Sequence, residues 1–121
     1  MPLYLVYAPD PANNLENRLA ARKAHFDAFG ESIKDGHAVF GQGMVNDSTT
    51  THIGAGERHA DYDQVKDLDG SVLLLRYGTI EEAWARVKAD PYWTGNVWDK
   101  EKVVVRELIA QPTDAGLKMY Q

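Results

Sequence analysis

Arg18, Arg22, His25 and Phe29 stand at spacings that bring all four to one border of a single helix. Between about Ala12 and Asp35, Leu15, Leu19, Phe26, Phe29 and Ile33 recur at spacings of four, seven, three and four, the repeat of one buried helix face. Setting successive residues about 100° apart puts Arg22 near the middle of that face, where an apolar side chain is expected. A guanidinium there must be paired or reach a polar cavity, because an unpaired buried charge is costly. His25 lies at the edge of the same face, one turn from Arg22 and from Phe29, with Arg18 one turn below Arg22. An imidazole so placed can take and return protons near neutral pH. The plainer reading is that Arg22 reaches a carboxylate at the domain edge and His25 bonds a carbonyl.

A second group follows at Asp90, Pro91, Tyr92, Trp93 and Trp98. Asp90 comes three residues after Val87, on the buried side of a predicted helix, so its carboxylate sits among aromatic rings. Two roles suit it: capping a turn, as Asp before Pro often does, or holding an imidazole in one tautomer. Trp93 and Trp98 are placed to wall a ring-shaped ligand, or simply to fill core and interface. His37, His52 and His59 complete the histidines. His52 and His59 are seven apart with no recognised ligand spacing, even with Asp61 and Asp63 nearby, so no metal site is expected. The Gly-x-Gly at Gly41–Gly43 and at Gly54–Gly56 lack the third glycine and following helix of a phosphate loop, and both read as turns.

The elements that must position these groups are legible in outline. Leu3–Ala8 is dense in β-formers and is stopped by Pro9-Asp10-Pro11, which denies helix to what precedes it. The long helix follows, ending at Asp35-Gly36 because glycine takes the left-handed conformation without a Cβ clash. His37–Val45 reads as a second strand with a glycine-punctuated end. Ser71–Tyr77 is a third strand, central by its unbroken Val72-Leu73-Leu74-Leu75. Thr79 and Glu82 predict a capping box for a second helix whose buried stripe is Ile80, Ala83, Trp84 and Val87, ended by Asp90-Pro91. Pro91–Trp98 reads as an aromatic turn segment and Lys102–Ile109 as the fourth strand.

The order strand, helix, strand, strand, helix, strand is the split βαβ arrangement of a ferredoxin-like α+β fold, a four-stranded antiparallel sheet with two helices on one face. One domain is expected over residues 1–110, carrying a polar flap insertion over 46–69, with a C-terminal tail at 111–121. Strands as apolar as Leu3–Ala8 and Val72–Leu75 cannot leave the uncovered face in water. Pairing of two sheets face to face is the expected solution, hence a homodimer; the rival is that the 46–69 insertion folds over the sheet.

Bulk composition narrows the function. The 121 residues carry a formal charge of −5, with Lys and Arg scattered singly, which disfavours nucleic acid as a partner. With no cysteine, disulfides, thiolate zinc sites and cysteine nucleophiles drop out together. The apolar runs are far short of the roughly 20 residues of a membrane helix. The opening MPLYLVYAPD lacks the basic stretch and cleavage site of a signal peptide, so the expected address is cytoplasmic.

Three pieces together resemble the YCII-related family of the dimeric α+β barrel superfamily: the opening MPLYLVYAPD, the Arg22-Lys23-Ala24-His25 of the first helix, and Asp90-Pro91-Tyr92 followed by Gly95. The resemblance runs from residue 1 to about Leu108. It implies face-to-face dimers of ferredoxin-like units with a cleft between sheet and helices, and a His–Asp pair in that cleft as the catalytic centre, here His25 and Asp90. Similar folds house lactone isomerases, dehydrochlorinases of hydroquinone pathways and polyketide-tailoring enzymes.

The expectation that follows is proton-transfer chemistry without a cofactor, an elimination, isomerisation or dehydration of a small cyclic or aromatic, polyketide-like metabolite. His25 is the expected base, Asp90 its orienting partner and Arg22 the stabiliser of the developing anion. Arg18, Phe29, Tyr92, Trp93 and Trp98 are the expected substrate contacts. Two rivals stand beside it: a non-catalytic binding module for an aromatic metabolite, and a cofactor-free oxygenase of an anthrone-like ring.

Overall fold

In the computed structural model, which describes residues 1–46 and 67–109, the chain runs β1 (Leu3–Pro9), α1 (Leu15–Lys34), β2 (Ala38–Val45), β3 (Leu68–Arg76), α2 (Ile80–Ala89), α3 (Pro91–Thr94) and β4 (Val104–Leu108). The strands form one antiparallel sheet in the order β2-β3-β1-β4, the ferredoxin-like arrangement. Residues 47–66, which hold most of the expected flap with His52, His59 and the Gly54–Gly56 turn, lie outside the described residues, as does 110–121. Of the expected insertion, Leu68 and Asp69 instead belong to β3.

Register decides which side chains share a face. β1 pairs Tyr4 with Leu75, Val6 with Leu73 and Ala8 with Ser71, and it pairs Val6 with Val105 on β4. These residues point to the helices and pack with Phe29, Ala83, Val87, Tyr92, Val97 and Trp98 into the core. The alternate positions form the opposite face: Leu5 lies beside Leu74, which lies beside Phe40, and Tyr7 lies between Val72 and Val104. Tyr7, Phe40 and Val104 are exposed there.

Local sequence signals set most boundaries. Gly36 is left-handed at φ +81°, and the His37 and Gly36 amides bond the Ser32 and Ile33 carbonyls, the paired bonds of a Schellman stop. The Thr79 hydroxyl accepts from the Glu82 amide at 3.2 Å, as its capping position predicts. The Glu82 carboxylate, however, accepts from the Thr79 hydroxyl at 3.1 Å, so the box closes side chain to side chain. In α2, Ala83 and Val87 are buried and Trp84 is partly so, whereas Ile80 is exposed.

Two expectations fail here for identifiable reasons. Gly41 and Gly43 are not turns but positions within β2; a Cβ on Gly41 would come within 2.6 Å of the Phe29 ring, so α1 can rest on the sheet there only over glycine. Pro91–Thr94 is a short helix, because proline suits the first helical position and Asp90 caps it. No helix among the described residues is long and apolar enough to cross a membrane.

Candidate active site

The face of α1 turned to the core is not the apolar one. Arg18 is 2% exposed, His25 6%, Phe29 8% and Ser32 7%, whereas Leu19, Phe26 and Ile33 are 50%, 53% and 54% exposed. Each exposed apolar residue follows a buried polar one by a single position, so the helix is turned about 100° from the face its periodicity predicts. Phe29 alone of the expected stripe is fully buried. The physical reason is pairing: each inward polar group meets a partner fixed by another element.

Arg18 binds Asp10 in two-pronged fashion, Nε to Oδ2 at 2.7 Å and Nη2 to Oδ1 at 3.1 Å, and Nη2 also reaches Ser71 Oγ at 3.0 Å. The Trp98 indole donates to the same hydroxyl at 3.1 Å. Burial pushes the Asp10 carboxyl above its ordinary range, and the Arg18 guanidinium opposes that rise. Arg22, expected in the buried middle, instead lies at the border, partly exposed, with its guanidinium 4.8 Å from the Phe26 ring centre.

Asp90 performs both roles that the sequence leaves open. It ends α2, precedes Pro91 and caps α3, its Oδ1 accepting from the Tyr92 amide at 2.8 Å. The same oxygen accepts from His25 Nδ1 at 2.7 Å, and Oδ2 accepts from Arg86 Nη1 at 3.0 Å. The Tyr92 amide and Arg86 both donate, and since a carboxylate only accepts, His25 Nδ1 is the donor in the third contact. The His25 ring lies nearly parallel to Tyr92, 6° apart with centres 3.9 Å apart, while Phe29 stacks at 5.9 Å and Trp98 stands edge-on at 6.1 Å. Burial, the largest influence, pushes the Tyr92 phenol up, so the surface under the imidazole is a neutral ring. His25 Nε2 has no hydrogen-bond partner among the described residues.

The structure therefore brings together His25, Asp90, Arg18, Phe29, Tyr92 and Trp98. Trp93 packs against Trp84 and Lys100 instead, and Arg22 is at the rim. His37 lies elsewhere, bonded to the Arg76 carbonyl and stacked on Tyr77. Four participants escaped sequence reasoning: Asp10, Ser32, Ser71 and Arg86. Two left a trace: Arg86, four residues before Asp90 on one helix, and Asp10, within the opening that carries the family resemblance. Among the described residues no three His, Asp or Glu side chains gather as a metal ion would require. A hollow of about 260 Å³, bordered by Met1, Leu3, Arg76 and Leu108, shares no residue with the His25 cluster.

Known proteins resemble this chain in sequence and in fold. The YciI proteins of Escherichia coli O6:H1 and Shigella flexneri are each 28% identical over 101 residues, 84% of this chain and 92% of theirs. Among solved structures, 5-chloro-2-hydroxyhydroquinone dehydrochlorinase (TftG) of Burkholderia phenoliruptrix, in complex with 2,5-dihydroxybenzoquinone, superposes with a TM-score of 0.70 at 19% identity. The match covers 92% of this chain and 97% of that one, which shows that the two chains share the ferredoxin-like α+β fold. Since the YCII-related domain is matched by residues 2–107, nearly everything described above, the chain belongs to the YCII-related family.

Proposed function

We propose that this protein is a small cofactor-independent enzyme that moves protons on a small cyclic or aromatic substrate of phenolic or polyketide-like character, in an elimination, isomerisation or dehydration. One observation carries the reading: His25 commits Nδ1 to a fully buried carboxylate, while Nε2 has no protein partner among the described residues. With the Nδ1 proton donated to Asp90, the ring lone pair sits at Nε2, where a substrate proton can be taken. Asp90 then steadies the imidazolium, and Nε2–H returns the proton to product or solvent. Arg22, at the rim one turn from His25, is placed to meet negative charge as it develops on a ring oxygen.

The likeness to a dehydrochlorinase supports the reaction class, since loss of hydrogen chloride from a hydroxylated ring couples proton removal to departure of chloride. The test is incubation of the protein with chlorinated and unchlorinated hydroxyquinols and cyclic 1,3-dicarbonyls, following chloride and ring products by chromatography. Catalytic conversion is the expected result. Tight binding of a ring that is returned unchanged, across the whole panel, refutes the enzyme in favour of a binding module.

The open sheet face is covered, in this reading, by a second copy of the chain. Leu5, Tyr7, Phe40, Val72, Leu74 and Val104 form an apolar surface on both central strands and both edges. Light scattering is expected to give twice the mass of one chain, and Phe40→Asp, placing a charge in that contact, is expected to release monomers. A wild-type monomer at micromolar concentration would remove the dimer.

A further inference from the structure

We infer that Arg86 is a third, positioning member of the proton relay: by drawing on the second oxygen of Asp90, it keeps the carboxylate from holding the protonated imidazole too tightly, which suits the site to ring substrates whose own proton is already acidic. The inference rests on the proposed role of His25. Its basis is geometric. Asp90 is wholly buried and divides its oxygens, Oδ1 to His25 and the Tyr92 amide, Oδ2 to Arg86 Nη1. Arg86 is held in turn by Ser32, whose Oγ accepts from Nε at 2.7 Å. Ser32 and His25 lie on the same buried face of α1, so a closed loop of bonds runs from α1 through α2 to the cap of α3 and back to α1.

A stability role alone accounts poorly for this arginine. Its Nη2 is buried with no partner among the described residues, and a buried unsatisfied donor is a net cost. What the guanidinium does supply is positive charge against the far side of the carboxylate that orients His25. A carboxylate shared between two cationic partners stabilises each less than it would stabilise one alone. The proton accepted at Nε2 is thereby released more readily. A site so balanced favours substrates whose conjugate base is delocalised over ring hydroxyl or carbonyl oxygens, not those with an unactivated C–H bond.

Other charges around the imidazole are distributed differently. Arg18 and Arg22 are on its own helix, Arg18 being paired with Asp10, which directly follows β1. Tyr92 from α3 presents a neutral ring. Tyr77, just after β3, feels Arg86 together with Asp35 and Glu82. Among the described residues, Arg86 is the only arginine or lysine that touches the Asp90 carboxylate.

The experiment needs no substrate. In protein labelled at histidine carbon, the His25 ring resonance is titrated in wild type, Arg86→Met, Arg86→Lys and Ser32→Ala. Arg86→Met, which keeps the apolar stem and loses the charge, is expected to move the midpoint up by about one pH unit, the scale of removing a neighbouring charge. Arg86→Lys is expected to stay near wild type, and Ser32→Ala, which loosens the guanidinium, to move in the same direction by less. If Arg86→Met does not fold, the Ser32→Ala shift decides alone. Midpoints identical to wild type in every folded variant overturn the inference, yet leave the turnover test of the enzyme reading standing. Shifted midpoints in a protein that converts none of the ring substrates sink the enzyme reading alone.

Discussion

His25→Ala is expected to lower turnover on the proposed ring substrate at least about a hundredfold, the usual scale for loss of a general base. The loss is expected to fall on the chemical step, because Nε2 is the ring atom without a protein partner among the described residues while Nδ1 is bound to Asp90. The variant remains folded, since Asp90 keeps Arg86 and the Tyr92 amide and is not left as an isolated buried charge. Steady-state rates, with circular dichroism on the same sample, separate the two effects. Added imidazole is expected to restore part of the rate by entering the space over Tyr92. Turnover within a few-fold of wild type would remove His25 from the reaction and with it the role assigned to Asp90.

Arg18→Met has the largest expected effect on stability, about 3–5 kcal/mol at neutral pH, because it strands the Asp10 carboxylate in the interior. Both side chains of that pair are 3% exposed, so solvent does not screen the loss. The pH dependence follows from burial, which raises the Asp10 value, and from Arg18, which pulls it down. A carboxyl with a folded value above its unfolded one, near 3.9, contributes stability that is fully present below the unfolded value. That contribution is lost as pH rises through the folded value. Removing Arg18 raises the folded value further and widens the window. The deficit of Arg18→Met is therefore largest at pH 7 and shrinks toward pH 4, where Asp10 is neutral in the folded variant. Urea titrations at several pH values measure it; a deficit that is flat, or that grows in acid, contradicts the buried pair as the cause. Because Arg18 also lies 4.7 Å over the Tyr92 ring on which His25 stacks, the same variant disturbs the imidazole without touching it.

The two substitutions mark different layers of one construction. The residue after β1, strand β3 and the segment after α3 supply Asp10, Ser71 and Trp98 as a polar floor on which Arg18 is fixed. Asp90 and Tyr92, two residues apart at the start of α3, supply an acceptor and a flat surface for His25. Asn14 joins the layers, its amide donating to the Asn96 and Val97 carbonyls at 2.8 Å each, which pins the start of α1 to the chain after α3. Asn96 itself is left-handed at φ +59°, a conformation asparagine tolerates better than most residues.

Local chemistry alone determined the order of strands and long helices, the Gly36 stop, the Thr79 cap and the central placing of β3, since each depends on residues a few positions apart. It also marked His25 and Asp90 by their departure from an apolar pattern and by the family resemblance they carry. The rotation of α1 was beyond its reach. Leu19, Phe26 and Ile33 have the better hydrophobic claim on the core, and only partners from distant strands and helices let Arg18, His25 and Ser32 take it. Those partners are set by register: Ser71 lies opposite Ala8, close to Asp10, because of how β1 and β3 align, and no spacing in the chain records that. A periodic pattern reports how much apolar surface a helix has to hide, whereas the tertiary structure decides which polar groups find their counterparts and so which side of the helix turns inward.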